Sequence, residues 1–326
     1  MLHYIIKRLW LAVLTLWGIT LVTFFIINLA PGAPAALQNR GLSDSQMSGR
    51  VYQQLVEYYE LDKPIYVRYG KWLKRLATLD FGASLTGDGA KVWTKIKARL
   101  WPTISLTILA FGFSLALSIP LGVYGAARRG TWFDNVSSTI LYGLYAVPGY
   151  VMAVPLILLL GVQWGILPFQ GMTSADYEQL SAVGKLADLI RHYTLITFCF
   201  SFGTWAYFSR FVRQNMLDVL SQDYILTARA KGVSETAILF RHGLRNTLIP
   251  MLTLAGLLLP EIIGGSVILE VMFNWPGIGR LFFESMQTRD YPTIMALSFL
   301  TACLVLLGTF SADIGYALVD PRVTYE

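Results

Sequence analysis

The chain has 326 residues, of which 55% are apolar and 14% charged. A soluble domain carries about a quarter of its residues as Asp, Glu, Lys or Arg, so this deficit excludes an ordinary soluble enzyme and points to a surface facing lipid. The net charge of +6, from 26 Lys and Arg against 20 Asp and Glu, is too mild to mark a nucleic-acid binder. Cys199 and Cys303 sit inside apolar runs and His3, His192 and His242 share no metal-ligand spacing, which excludes a disulfide scaffold and a zinc site.

A hydrocarbon core about 30 Å thick takes about 20 apolar residues of helix to cross. Runs of that kind lie at 9–29, 103–127, 136–162, 194–211, 248–269 and 294–318, which predicts an all-α membrane protein with six transmembrane helices. The first run follows Lys7 and Arg8. It exceeds the apolar core of about 7 to 15 residues usual in a secretory signal, so it reads as an uncleaved anchor.

The one sizeable polar segment, 31–101, predicts a small external helical unit. One amphipathic helix carries Val51, Leu55, Tyr58 and Tyr59, and a second carries Tyr66, Tyr69, Trp72, Leu73 and Leu76, with a break at Asp62-Lys63-Pro64. Lys91, Lys95, Lys97 and Arg99 then alternate with Val92, Trp93, Ile96 and Leu100, which suits a helix in the headgroup plane. Three parts follow: an N-terminus with the first span over 1–30, an external insertion over 31–101, and a five-span core over 102–326. Pro120, Pro148-Gly149, Pro155, Pro250 and Pro260 interrupt the spans, as in a bundle that moves. Gly161-x-x-x-Gly165 fits a helix-packing motif.

Basic residues orient the chain. With the N-terminus cytoplasmic, that side holds Lys7, Arg8, Arg128, Arg129, Arg210, Arg213, Arg229, Lys231, Arg241, Arg245 and Arg322, eleven against the four outside, Lys185, Arg191, Arg280 and Arg289. This is the positive-inside bias, and both termini are then cytoplasmic.

No chemistry of its own is written into the chain. Gly70-Lys71 and Gly184-Lys185 are followed by Trp72 and Leu186 and lack the upstream glycine of a phosphate-binding loop. His-Glu-x-x-His and Gly-x-Ser-x-Gly are absent, so no catalytic residue and no metal ligand is assigned. Glu261, Glu270 and Asp313 are the acidic residues in or at the ends of spans. Such groups face the bundle interior. Glu261 and Glu270 are therefore translocation-path candidates, with a bond to a neighbouring helix the alternative for Glu261. A self-sufficient secondary transporter would need a relay of such groups, and an intramembrane enzyme or scaffold remains a further reading.

The cytoplasmic connection 213–247 holds Asp223, Tyr224, Thr227, Ala228, Arg229, Ala230, Lys231 and Gly232 in one short stretch. Ser221 or Asp223 is placed to cap a helix that Gly232 ends, with Arg229 and Lys231 in its last turn. Such a helix suits a partner's groove, or it is a solvated link between two spans. On the other side, Glu270 precedes Trp275, Pro276, Gly277 and Gly279, a tight turn whose Trp is either a contact for another protein or a membrane-interface anchor.

The run Asp223-Tyr224-Ile225-Leu226-Thr227-Ala228-Arg229-Ala230-Lys231-Gly232, with Arg241-His242 and Arg245-Asn246 before Pro250, resembles the EAA loop of binding-protein-dependent ABC importer permeases, type I, and more narrowly their oligopeptide, dipeptide and nickel branch. Leu61-Asp62-Lys63-Pro64, Asp80-Phe81-Gly82-Ala83-Ser84, the Glu270 to Gly279 pattern, Arg289-Asp290-Tyr291 and Asp320-Pro321-Arg322 extend the resemblance over nearly the whole chain. The glutamate that names the loop is absent, and Glu261 stands outside the pattern. The resemblance implies a non-catalytic subunit of the bacterial inner membrane that pairs with a second, similar permease. It implies two ATPase subunits that bind ATP and Mg and dock at 223–232. An extracytoplasmic binding protein would meet the turn Trp275 to Gly279 and deliver a peptide or a nickel complex.

Overall fold

A computed structural model describes residues 2–29, 63–86, 89–248, 250–251 and 265–319, and the side chains within 6–27, 63–86, 89–248, 250–251 and 265–310. Glu261, most of the predicted fifth span and the first external helix lie outside the described residues. The described chain is helical: α1 Leu2–Leu29, α2 Ile65–Ala77, α3 Val92–Ala127, α4 Trp132–Ala146, α5 Gly149–Leu156, α6 Ala182–Leu220, α7 Asp223–Ala230, α8 Glu235–Ala237, α9 Val267–Met272, α10 Ile278–Gln287 and α11 Tyr291–Val319. Wider turns prolong α5 over Ile157–Gln163 and α8 over Ile238–Leu244. Among the described residues three helices are long and apolar enough to cross a membrane, at Ile6–Ile27, Val92–Ala127 and Tyr291–Phe310, and a bent pair makes a fourth if it is one span.

The predicted third span is not one straight helix: α4 and the prolonged α5 meet at 95°. Pro148 is the cause, because a proline drives the residue before it out of the helical region, and Val147 is extended with ψ of 122°. The predicted fourth span lies inside α6, whose 39 residues run about 58 Å at 1.5 Å per residue. The predicted headgroup helix is instead the first turns of α3, continuous through 101 and 102.

The pair α3 and α6 forms the centre. Thr103, Thr107, Ala110, Ser114, Ser118, Gly122 and Ala126 repeat at helical spacing along α3 and all are buried. A stripe of small residues lets two backbones approach closely, which is how helices associate without a hydrophobic drive. At Gly122 a Cβ would stand 2.6 Å from Val212 Cβ, so the approach is complete there. Two hydroxyls on the stripe are spent on their own helix, Thr107 donating to Thr103 O at 2.8 Å and Ser114 to Ala110 O at 2.8 Å. Gly161 does not serve helix packing: its Cβ position meets the Phe169 ring at 2.6 Å, and Gly165 turns the chain with φ of +62°.

Two further contacts fix the periphery. Phe24 of α1 meets Tyr69 and Trp72 of α2 with ring centroids 5.3 and 5.5 Å apart, which is the expected apolar face of the second external helix. Tyr66, expected on that face, is instead 71% exposed. Asp134 at the start of α4 is buried and accepts from Arg213 Nε at 2.6 Å, Arg213 Nη2 at 2.8 Å and the Gly130 backbone N–H at 2.9 Å.

Candidate functional site

The short helix α7 follows α6 after a two-residue turn. Gln222 precedes it in an extended conformation without a side-chain cap, so neither Ser221 nor Asp223 is the capping residue. Ser221 is drawn away by donating to Asp218 O at 2.7 Å, and Asp223 is the first helical residue, where its charge favours the helix N-terminus. The predicted end holds. Gly232 takes φ of +77°, its N–H donates to Arg229 O at 2.9 Å, and Val233 N–H donates to Ala228 O at 3.2 Å. These are the two bonds of a Schellman termination, which needs a left-handed residue at that place.

Three contacts orient α7. Ile225 is fully buried and is its single anchor into the protein. Asn246 Nδ2 donates to the Tyr224 hydroxyl at 2.8 Å, and Arg229 donates to both Glu235 oxygens at 2.8 and 3.3 Å. The ion pair is exposed at both ends, 42% and 63%, so it sets direction and contributes about 0.2–1 kcal/mol. Asp223, Tyr224, Leu226, Thr227, Arg229, Ala230, Lys231 and Gly232 are exposed and Ala228 is half-buried. Leu226 is 56% exposed, an apolar side chain on a helix that buries Ile225 alone.

The turn from α9 to α10 departs from expectation. Trp275 is fully buried, edge-on to Tyr193 at 4.6 Å and 85°, with its indole N–H donating to Pro102 O at 3.0 Å. It is neither a surface contact nor a membrane-interface anchor. Gly277 and Gly279 are buried too, and Pro276 is partly buried, so of this turn Asn274 alone is exposed. Glu270 explains the burial. Its Oε1 accepts from Thr103 Oγ1 at 3.0 Å and its Oε2 from the Arg280 N–H at 2.9 Å, while Thr103 Oγ1 in turn accepts from the Ile278 N–H at 2.8 Å. A buried carboxylate needs such donors, and only glycine backbone comes close enough to leave it room. The Cβ positions of Gly265 and Gly277 fall 2.3 and 2.4 Å from its oxygens. Fully enclosed, Glu270 joins α9 and α10 to α3 and lines no path.

Two sequence patterns 206 residues apart form a second joint. Asp290 is buried and accepts from Ser84 Oγ, from the Leu85 N–H at 2.9 Å and from Thr293 Oγ1 at 2.6 Å, and Lys95 Nζ donates to Ser84 Oγ at 2.8 Å. Sequence reading singled out both segments without placing them together, because neither shows a period or charge pattern that pairs it with the other.

The family model described as "Binding-protein-dependent transport system inner membrane component" matches residues 118–325, and the N-terminal model of the same component matches residues 1–107. The chain belongs to this family. It is 42% identical over 326 residues to the oligopeptide transport system permease protein AppB of Bacillus subtilis (strain 168), with both chains covered in full. It is 35% identical, again with full coverage of both, to the glutathione transport system permease protein GsiC of Escherichia coli (strain K12). Among solved structures, the MetNI methionine ABC transporter in inward-facing conformations matches with a TM-score of 0.50 at 18% identity, covering 69% of this chain and 96% of that one. That likeness is one of fold.

As a member of this family the chain is a permease subunit of an ATP-driven importer, resident in the bacterial inner membrane. Its work is transport and not catalysis, and it acts with permease, ATPase and substrate-binding partners.

Proposed function

We propose that this chain forms one half of a peptide path and that two ATPase subunits drive it through α7. In this reading six spans cross the membrane with both termini cytoplasmic, 31–101 is an external insertion, and 102–326 is the core that pairs with a second permease. Peptides are favoured as cargo because the full-length relatives are described as oligopeptide and glutathione permeases. The observation that carries the coupling role is the construction of α7, which exposes nearly every side chain yet is fixed in direction by Ile225, Tyr224 to Asn246 and Arg229 to Glu235. A link between spans needs no such bracing. When ATP binding closes the ATPase pair, a helix seated in it moves as one piece with the end of α6, and cargo binding selects among the resulting states.

Gly232 separates docking from strain. A Cβ there would meet nothing within 4 Å of this chain, so the cost inside the chain is that of a left-handed L residue, about 1–2 kcal/mol, for alanine and tryptophan alike. Gly232→Ala is expected to keep most ATP-driven uptake in the reconstituted assembly, and Gly232→Trp to lose at least tenfold. Equal uptake by the two variants would show that nothing docks there.

A further inference from the structure

A cavity of about 450 Å³ opens where α4, α5, α6 and α9 meet, lined by Tyr145, Tyr150, Gly203, Thr204, Tyr207 and Ser266. Tyr145 and Tyr150 stand on either side of the 95° bend, and Tyr145 stacks on Tyr207 with centroids 6.1 Å apart and planes 29° apart. The bend falls in the middle of an apolar run. Irregular backbone at membrane depth is tolerated only inside protein or along a water-filled cavity. The tyrosines are 50%, 43% and 39% exposed, and among the described residues their hydroxyls make no hydrogen bond. Against lipid such hydroxyls would be costly. Gly203 fits the same picture: it lies within α6, where glycine is less stable than alanine, yet a Cβ there would meet nothing within 4 Å. Among the described residues no neighbour requires a glycine at that point, and the space beside it belongs to the cavity.

We infer that this cavity is the wall of the peptide path contributed by this chain, a polar but uncharged subsite for the amide groups of an extended peptide. The inference rests on the peptide reading above and names its place. Free hydroxyls donate to a peptide carbonyl or accept from its N–H without preferring one side chain, and tyrosine faces accept apolar groups. Among the described residues, none of those lining the cavity is charged. Arg210, one helical turn beyond Tyr207, lies 3.8 Å over the Tyr142 ring and 5.8 Å from the Tyr145 ring, which sets a cation at the rim where the peptide carboxylate belongs.

The test uses the assembled importer with its binding protein in proteoliposomes, with tritiated alanine peptides of two to five residues as probes. Gly203→Leu is expected to lower uptake at least tenfold and Gly203→Ala to keep more than half, with both complexes eluting as the unaltered assembly does. Removing the three hydroxyls together, Tyr145→Phe, Tyr150→Phe and Tyr207→Phe, changes little volume and is expected to raise the KM for uptake five- to tenfold. Undiminished uptake by Gly203→Leu, or an unchanged KM in the triple variant, overturns the subsite while leaving peptide transport standing. Loss of the second permease from the Gly203→Leu complex would make the cavity a subunit interface and also overturn it. Failure of the unaltered assembly to take up any of the probes would overturn the peptide reading itself.

Discussion

Replacing Gly277 by valine is expected to keep the chain from reaching a stable folded state. Its Cβ would lie 2.4 Å from Glu270 Oε2, 2.5 Å from Thr103 Oγ1 and 2.6 Å from Glu270 Cδ. None of these atoms is free to move aside. Glu270 is fully buried, and shifting it breaks its bonds to Thr103 and to the Arg280 N–H, leaving a carboxylate without donors. A buried polar group left without partners costs about 1–3 kcal/mol, and the overlap itself adds to that, together a large share of the stability of a domain. The single variant should be lost from the monodisperse peak when purified in detergent. Shortening the obstacle as well, in Gly277→Ala with Glu270→Ala, removes the part of the clash that Glu270 makes and leaves Thr103 Oγ1 close, so that pair should be less destabilised than the sum of its two single variants. Additive losses would show that the two residues do not share a site.

Asp134 provides the second large effect, where the start of α4 is joined to α6. Its carboxylate is 3% exposed and takes three N–H donors, two of them from Arg213, whose side chain is 27% exposed. Asp134→Ala strands the guanidinium against α4. The expected cost is about 3 kcal/mol, at the lower end of the range for a broken buried pair because Arg213 retains some contact with solvent. Replacing both partners by apolar residues, Asp134→Leu with Arg213→Met, should recover most of the loss, since an intact buried pair stabilises little over a well-packed apolar one. Unfolding midpoints in detergent give both numbers, and an Asp134→Ala variant as stable as the unaltered chain would refute the pairing.

These two joints show where sequence reading stopped. The apolar runs of α1, α3 and α11, the proline bend and the glycine end of α7 are local: an apolar run, Pro148 and Gly232 each act on their immediate neighbours, so they were legible, although the 95° of the bend was not. The cap of α7 was misread because Ser221 had a competing acceptor one turn back, at Asp218 O. The surroundings of Trp275 and Glu270 depend on Pro102 and Thr103, more than 160 residues away, and nothing in the turn itself distinguishes a buried Trp from a surface one. The cavity tyrosines were likewise invisible, because the stacking of Tyr145 on Tyr207 exists only once α4 lies across α6.

The most direct test of the account asks what touches α7 in the working assembly. Leu226 is 56% exposed on that helix, and Ile166, 53% exposed, lies in the connection assigned to the opposite side of the membrane. With the photoreactive residue benzoylphenylalanine at each position in turn, irradiation of the ATP-hydrolysing complex should join position 226 to an ATPase subunit and position 166 to none. An active complex in which position 226 yields no ATPase adduct, or position 166 yields as much, would contradict the placement of α7 as the coupling helix.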